Sequence, residues 1–148
     1  MTQAQYWPCR TRRFDLSKPL IMGILNVTPD SFSDGGQHNE PKQAIAWAMR
    51  MAQDGADIID VGGESTRPGT RPGAAAVSEE SEEEELRRVI PVVQALASRG
   101  LAVSVDTSRA RVMREAVAAG AEILNDVRAF TLPGAVEAAV ETGAGLIV

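Results

Sequence analysis

Four short apolar runs, each closing on an amide or a carboxylate, set the rhythm of the chain. The first spans 20–25 and changes character at Asn26, passing into Thr28, Pro29, Asp30, Ser31, Ser33, Asp34 and Gly35-Gly36. A continuous apolar run ended by Pro and Gly predicts a strand buried on both faces. Past Asn26 the residues are those of a loop: Pro29 fixes the backbone, Asp and Ser supply turn hydrogen bonds, and the glycines permit positive φ. A second strand is predicted over 57–61, carrying Asp60 and running at once into Gly62-Gly63. A third spans 101–105 and ends in Asp106. A fourth is centred on Ile123-Leu124 and ends in Asn125-Asp126, and a fifth begins at Gly145.

Between these runs the apolar period changes from two to 3.6. Ala44, Ile45, Ala48, Met49 and Ala52 predict a helix over 41–53, with Pro41 in its first turn and Asp54-Gly55 at its end. Leu86, Val89, Ile90, Val93 and Leu96 continue a helix that opens in acids at 79–85 and stops at Gly100. That acidic run is read as a solvated first turn against the positive end of the helix dipole, rather than a site for a metal or a basic partner. Thr107-Ser108 are expected to cap a helix over 109–119, which Gly120 ends, and a last helix spans about 134–142. Strands alternating with helices through short connections mean a parallel sheet covered by helices. The expected fold is α/β, a (β/α)8 TIM barrel. Such a barrel needs ~250 residues, so the chain holds roughly its first half; a doubly wound sheet is the competing architecture. Residues 1–18 are a lead-in, in which 12–16 adds an edge strand or plugs one end of the barrel, and 19–148 form the domain.

Composition narrows the partners. A formal charge of −5 over 148 residues lacks the basic face that a nucleic-acid partner would favour. One cysteine and one histidine make neither an internal disulfide nor a zinc site, and the implied compartment is the reduced cytoplasm. No apolar run approaches the ~20 residues of a membrane span.

The chemistry sits at strand ends. Asn26, Asp60, Asp106 and Asn125 each directly follow an apolar run, so a parallel sheet brings them toward one rim, where α/β enzymes build their sites. Two amides and two carboxylates suit a fused heterocycle with alternating donors and acceptors. Asp60 is the weakest of the four, with the alternative that it points inward and holds a neighbouring strand end. Gly62-Gly63, Thr66 and Arg67 make an anion-binding loop, the Arg offering a planar fork of donors suited to phosphate. Asn26, Asp30 and Asp34 near a phosphate suggest Mg²⁺, which takes only one or two protein oxygens there. His38 reads as a loop surface residue, since nothing near it partners it as a base.

Two stretches are long enough to identify a family. Residues 21–36, Ile-Met-Gly-Ile-Leu-Asn-Val-Thr-Pro-Asp-Ser-Phe-Ser-Asp-Gly-Gly, and 55–69, Gly-Ala-Asp-Ile-Ile-Asp-Val-Gly-Gly-Glu-Ser-Thr-Arg-Pro-Gly, with 103–107 and 123–126, strongly resemble the dihydropteroate synthases of folate biosynthesis. The resemblance runs from about Pro19 to Val148. It implies a TIM barrel that condenses a (7,8-dihydropterin-6-yl)methyl diphosphate with 4-aminobenzoate, the step that sulfonamides target, and releases diphosphate. By motif position it makes Asn26 a magnesium ligand, with Asp30 helping to organise metal and loop. Thr66 becomes a diphosphate and pterin-side contact, with Arg67 in the same loop, and Asp106 and Asn125 readers of the pterin edge. Phe32 and Pro68 become walls of the 4-aminobenzoate pocket, and Asp106 and Arg67 the residues closest to the chemistry. The family's later Asp, Lys and Arg-x-His do not occur before Val148, so this chain is expected to be inactive alone, and the full-length form is expected to be a homodimer. Residues 66–73 repeat Thr-Arg-Pro-Gly where the family has one copy; the first copy carries the function and the second is a loop insertion. The alternatives are a non-catalytic pterin-binding half-barrel and a pterin-dependent methyltransferase. A half-barrel also exposes sheet edges, so self-association is expected.

Overall fold

The computed structural model describes residues 5–27, 40–63 and 79–148. Strands β1 (Tyr6–Pro8) and β2 (Arg13–Asp15) form an antiparallel hairpin. They are followed by β3 (Met22–Asn26), α1 (Glu40–Gln53), β4 (Ile58–Gly62), α2 (Glu79–Ser98), β5 (Val103–Asp106), α3 (Ala110–Ala118), β6 (Ile123–Asn125), α4 (Ala135–Thr142) and β7 (Gly145–Ile147). The expected elements are present: β3, β4 and β5 begin one or two residues later than expected, β6 and β7 begin where expected, and β1 is an additional strand.

Strands β3 to β7 make one sheet in the order of the chain, and every adjacent pair is parallel. Each helix packs against the next, α1 on α2, α2 on α3 and α3 on α4, so all four cover the same face. A doubly wound sheet reverses its strand order at a switch point and places helices on both faces. Sequential order with helices on one face is barrel geometry, and the chain supplies half of a (β/α)8 barrel.

The strand period of two assigns the faces. Leu25, Ile59, Val61, Val103, Val105 and Leu124 turn toward the helices and pack in the main core with residues such as Ala48, Val89, Leu96 and Met113. Burying each Val or Leu is worth about 1.5–3 kcal/mol, more than any single propensity, so this pattern fixes which way each strand faces. The alternate residues Ile58, Ala102 and Ile123 face the interior and form a second cluster with Trp7, Cys9 and Phe14 of the hairpin segment.

That second cluster resolves the two options for 12–16. Strand β2 pairs with β1 rather than extending the sheet, and the hairpin stops the end of the half-barrel where the strands begin. Trp7 and Phe14 stack with centroids 5.8 Å apart. Buried Glu122 latches the hairpin: the Thr11 amide donates to its Oε2 at 2.7 Å, and the Thr11 hydroxyl donates to Oε1. Gly145 is required here, because a Cβ would run into Cys9 Sγ and the Trp7 ring.

Two local expectations need correction. The acidic start of α2 is not solvated throughout: Glu85 is buried and pairs with buried Arg109 at 2.6 Å. Thr107 and Ser108 do not cap α3 in the expected way. The N-cap position is Arg109, in extended backbone with no side-chain cap. Thr107 Oγ1 instead accepts from the Arg109 amide at 3.3 Å, and the Ser108 hydroxyl donates to Asp126 at 2.6 Å. A buried carboxylate holds that hydroxyl more strongly than a helix end does. Among the described residues no helix is long and apolar enough to cross a membrane.

Candidate functional site

Parallel register places the strand tips side by side. Asn26 is paired with Gly62, Gly62 with Asp106, and Asp106 with Asn125. Three of the four strand-end residues singled out in the sequence therefore stand in one row at the C-terminal rim of the sheet. Asn26 is exposed, while Asp106 and Asn125 are half-buried.

Glycine at position 62 keeps the row open. A Cβ there would lie 3.6 Å from Asp106 Oδ2 and 3.7 Å from Asn26 Oδ1. The amide oxygen of Asn26 and the carboxylate of Asp106 thus flank the place where a side chain would otherwise stand. A ring edge or an anion can reach main-chain and side-chain groups together there. Gly63 is the more constrained of the two: a Cβ there would approach Val89 to 2.7 Å, whereas one at Gly62 would make only ordinary contacts.

Asp60 belongs to the row below. Its register partner is Ser104, not Asp106, and it is buried. Ser104 Oγ donates to Asp60 Oδ1 at 2.7 Å, and Asn125 Nδ2 donates to Asp60 Oδ2 at 3.2 Å. Asp60 therefore takes the inward role held open as its alternative: it ties β4 to β5 and β6. Burial pushes its carboxyl above the ordinary 3.8, and the bonds from Ser104 and Asn125 oppose that rise.

The loop after Asn125 is shaped by Asp126, whose importance no pattern in the sequence singles out. It is fully buried. Its Oδ1 accepts from Ser108 Oγ at 2.6 Å and from the Arg128 amide at 2.9 Å, and its Oδ2 accepts from the Phe130 amide at 2.9 Å. Ala129 and Phe130 both have positive φ, 52° and 60°. Each such non-glycine residue costs of order 1–3 kcal/mol and persists only where its surroundings over-determine it. The Asp126 carboxylate, with Phe130 seated in the core, supplies that determination next to Asn125.

Arg109 is a second residue that sequence reasoning missed. Its guanidinium reaches Glu85 Oε1, Ser81 O at 3.2 Å and Ser81 Oγ at 2.8 Å, locking the start of α3 to the start of α2 just outside the rim. A lone arginine after a Thr-Ser pair carries no signal of a buried partner twenty-four residues earlier.

Asp30, Phe32, Asp34, His38, Thr66, Arg67 and Pro68 lie outside the described residues. Among the described residues, no group of three or more His, Cys, Asp or Glu side chains could hold a metal ion. What the rim offers a cation is the neutral oxygen of Asn26, near the Asp106 carboxylate. That fits a hard ion that keeps several waters and shares its charge with a phosphate, and it does not fit an all-protein cage.

The family model that matches residues 22–148 is described as pterin binding enzyme. Among curated relatives, the dihydropteroate synthase of Escherichia coli K12 is 58% identical over 130 residues, covering 87% of this chain and 44% of that one. Among solved structures, Xanthomonas albilineans dihydropteroate synthase with 4-aminobenzoic acid superposes with a TM-score of 0.86 at 47% identity, over 97% of this chain and 50% of that one. The Yersinia pestis dihydropteroate synthase in a sulfonamide drug complex gives 0.81 at 53% identity, over 96% and 50%. The chain spans about half the length of the relatives it matches.

Proposed function

This chain belongs to the pterin binding enzyme family, and from that premise we propose that it carries the first half of a dihydropteroate synthase site. The observation that supports the reading is the single row of Asn26, Gly62, Asp106 and Asn125, with glycine leaving the centre open. In this reading Asp106 and Asn125 grip the edge of the pterin of (7,8-dihydropterin-6-yl)methyl diphosphate. Thr66 and Arg67 hold the diphosphate, and Phe32 and Pro68 wall the 4-aminobenzoate pocket. Asn26, aided by Asp30, holds magnesium beside the diphosphate, and the ion, when bound, supplies charge neutralisation to the leaving group.

The chemistry is an alkyl transfer. The amine of 4-aminobenzoate forms a carbon–nitrogen bond to the pterin methylene as the carbon–oxygen bond to diphosphate breaks. The amine then loses a proton to water. Positive charge gathers on the methylene and the conjugated ring, and negative charge on the departing diphosphate. A carboxylate at Asp106 favours the first and the Arg67 guanidinium the second, as fixed charges aimed at developing ones. The amine is already nucleophilic, so no activated serine or cysteine is needed. The cytoplasm is the compartment this reading assigns, and a homodimer the form of the full-length enzyme.

The share of its relatives' length that the chain covers favours a second reading for the 148-residue polypeptide itself: a half-barrel that binds pterin without turnover. Isothermal titration with pterin and then a diphosphate-release assay separate the two. Heat on titration without diphosphate release supports the binding half-barrel. Release supports the enzyme, and neither signal sinks both. A pterin-dependent methyltransferase is separated by the first loop. Phe32→Leu is expected to weaken sulfonamide-type mimics of 4-aminobenzoate about tenfold while leaving pterin affinity within about threefold, the scale of a few apolar contacts in one pocket. Equal losses for the two ligands would remove the pocket assignment.

A further inference from the structure

We infer that Asp60 is a positioning residue that decides which end of the Asn125 amide is offered to a bound ring, and so sets the donor–acceptor polarity of the site at that position. The inference rests on the pterin reading for the ligand's class, an amino-substituted fused heterocycle, but the arrangement that carries it is internal to the chain. Asp60 lies one layer beneath the rim, buried, with no route to the ring except through its neighbours. Both its oxygens are engaged, Oδ1 by the Ser104 hydroxyl and Oδ2 by Asn125 Nδ2. An ionised carboxylate only accepts hydrogen bonds. The end of the Asn125 amide turned toward it must therefore be nitrogen, and the oxygen is the end turned away. Without such a partner an amide can turn over at little cost, because oxygen and nitrogen are nearly the same size. With it, turning over would set Oδ1 against Oδ2, two acceptors facing each other with one of them buried, which is disfavoured.

The consequence for recognition is definite. Asn125 offers an acceptor to the ring, and it selects a ligand edge that carries an N–H or an amino group there. Ser104 is the other half of the device. It fixes Asp60 in rotation, so the carboxylate cannot swing away from Asn125. Neither Asp60 nor Ser104 touches the ring; both act through Asn125.

Exchanging the two side chains tests the polarity directly. In Asp60→Asn, an amide faces an amide, and because the Ser104 hydroxyl both donates and accepts, either end of the new amide can face Asn125, whose orientation is then no longer fixed. Pterin affinity is then expected to fall about twofold to threefold, the cost of choosing one of two orientations of similar energy. Asn125→Asp alone sets two carboxylates together and is expected to fall about tenfold or more, the scale of one hydrogen bond turned from attractive to opposed. The double variant Asp60→Asn/Asn125→Asp pairs a donor below with an acceptor above, again leaves an acceptor facing the ring, and is expected to return to within about threefold of the parent. A residue that merely stabilises the sheet would give losses that add, so a double variant no better than its worse parent overturns the inference.

A second readout needs no ligand. The side-chain 15N–H signals of Asn125 should exchange slowly with water in the parent chain and shift in Asp60→Asn. If they stay where they are, the inference fails whatever binds. If they behave as expected but pterin gives no heat, the pterin reading fails and the positioning by Asp60 stands. Should Asp60→Asn not fold, Ser104→Ala reads the same link. Loss of that hydroxyl frees Asp60 to rotate and moves the Asn125 signals, and unmoved signals overturn the inference.

Discussion

Single residues here are set by what lies one layer beneath them, and two titrations expose it. Asp60 is a carboxylate whose burial raises its folded pKa above the ordinary 3.8. A raised carboxyl binds its proton more tightly folded than unfolded. Its contribution to stability is therefore fullest in acid and is lost as pH rises from about 4 through the folded value. Comparing urea melts of the parent chain and Asp60→Asn across that range removes the contribution of every other carboxylate. The parent's advantage should shrink as pH rises; an advantage that grows would contradict the assignment of burial as the dominant cause. Burial thus penalises the charged form of this carboxyl, and the bonds from Ser104 and Asn125 favour it. Cys9 shows the same physics at the opposite end of the sheet. Burial, helped by Glu122, pushes its thiol up to about 11 from 9.0. At pH 8 roughly one molecule in a thousand then carries the thiolate, against about one in ten for an ordinary thiol. Iodoacetamide should label the native chain at least about tenfold more slowly than the urea-unfolded chain. Equal rates would show that the hairpin does not cover the thiol.

Between elements, the decisive contacts join segments that no local pattern links. The buried Glu85–Arg109 pair couples α2 to α3, with Ser81 as a second acceptor. Removing one partner of a buried pair leaves an uncompensated charge and costs about 3–5 kcal/mol, whereas replacing both by apolar groups of similar size is often neutral. Thermal melts should therefore show Arg109→Ala strongly destabilised and Arg109→Met/Glu85→Leu recovering most of the loss. A double variant as unstable as the single would mean the charges themselves are required. This pair also shows where legibility stopped. Strand and helix order, the parallel sheet and the row of Asn26, Asp106 and Asn125 followed from apolar period and from which residue ended each run, because those are local signals. A polar residue two places before a strand tip shares its face, yet the run ending at Asp60 pointed to the rim, with the inward position only as its alternative, and nothing pointed to Ser104. Which neighbour each would bind depended on register, which no local pattern encodes. Glu85 sat in a run of acids whose members look alike in sequence, and only the packing of α3 on α2 singles it out. Asp126 was one of two polar residues ending a strand, and the backbone it holds at positive φ has no sequence mark, since neither Ala129 nor Phe130 is glycine.

At the scale of the whole molecule, the sheet has two ends. Among the described residues strands β3 and β7 are its edges, and each carries an apolar residue left exposed. Ile24 on β3 is 63% exposed, although its register partner Asp60 is buried. Leu146 on β7 is 47% exposed, although its register partner Leu124 is fully buried among the helices. On α4, Val136 and Val140 add an uncovered pair four residues apart, and so on one face. Edge strands with unpaired backbone and apolar side chains are templates for pairing with another chain. Their burial is worth about 25 cal/mol for each Å² removed from water, so contact between copies is favoured over exposure. Light scattering on the 148-residue chain should accordingly report masses above 15.7 kDa that rise with concentration. A charge on either edge opposes pairing at small cost to the fold, because both positions are already exposed. Ile24→Lys and Leu146→Lys should each lower the associated fraction, and the two together should lower it most. If association persists unchanged in the double variant while the hairpin and helices still melt cooperatively, the edges are not its cause and the uncovered face of α4 becomes the surface to charge next. A sharp monomer that melts cooperatively at all concentrations would show that five strands and four helices close their own edges without help.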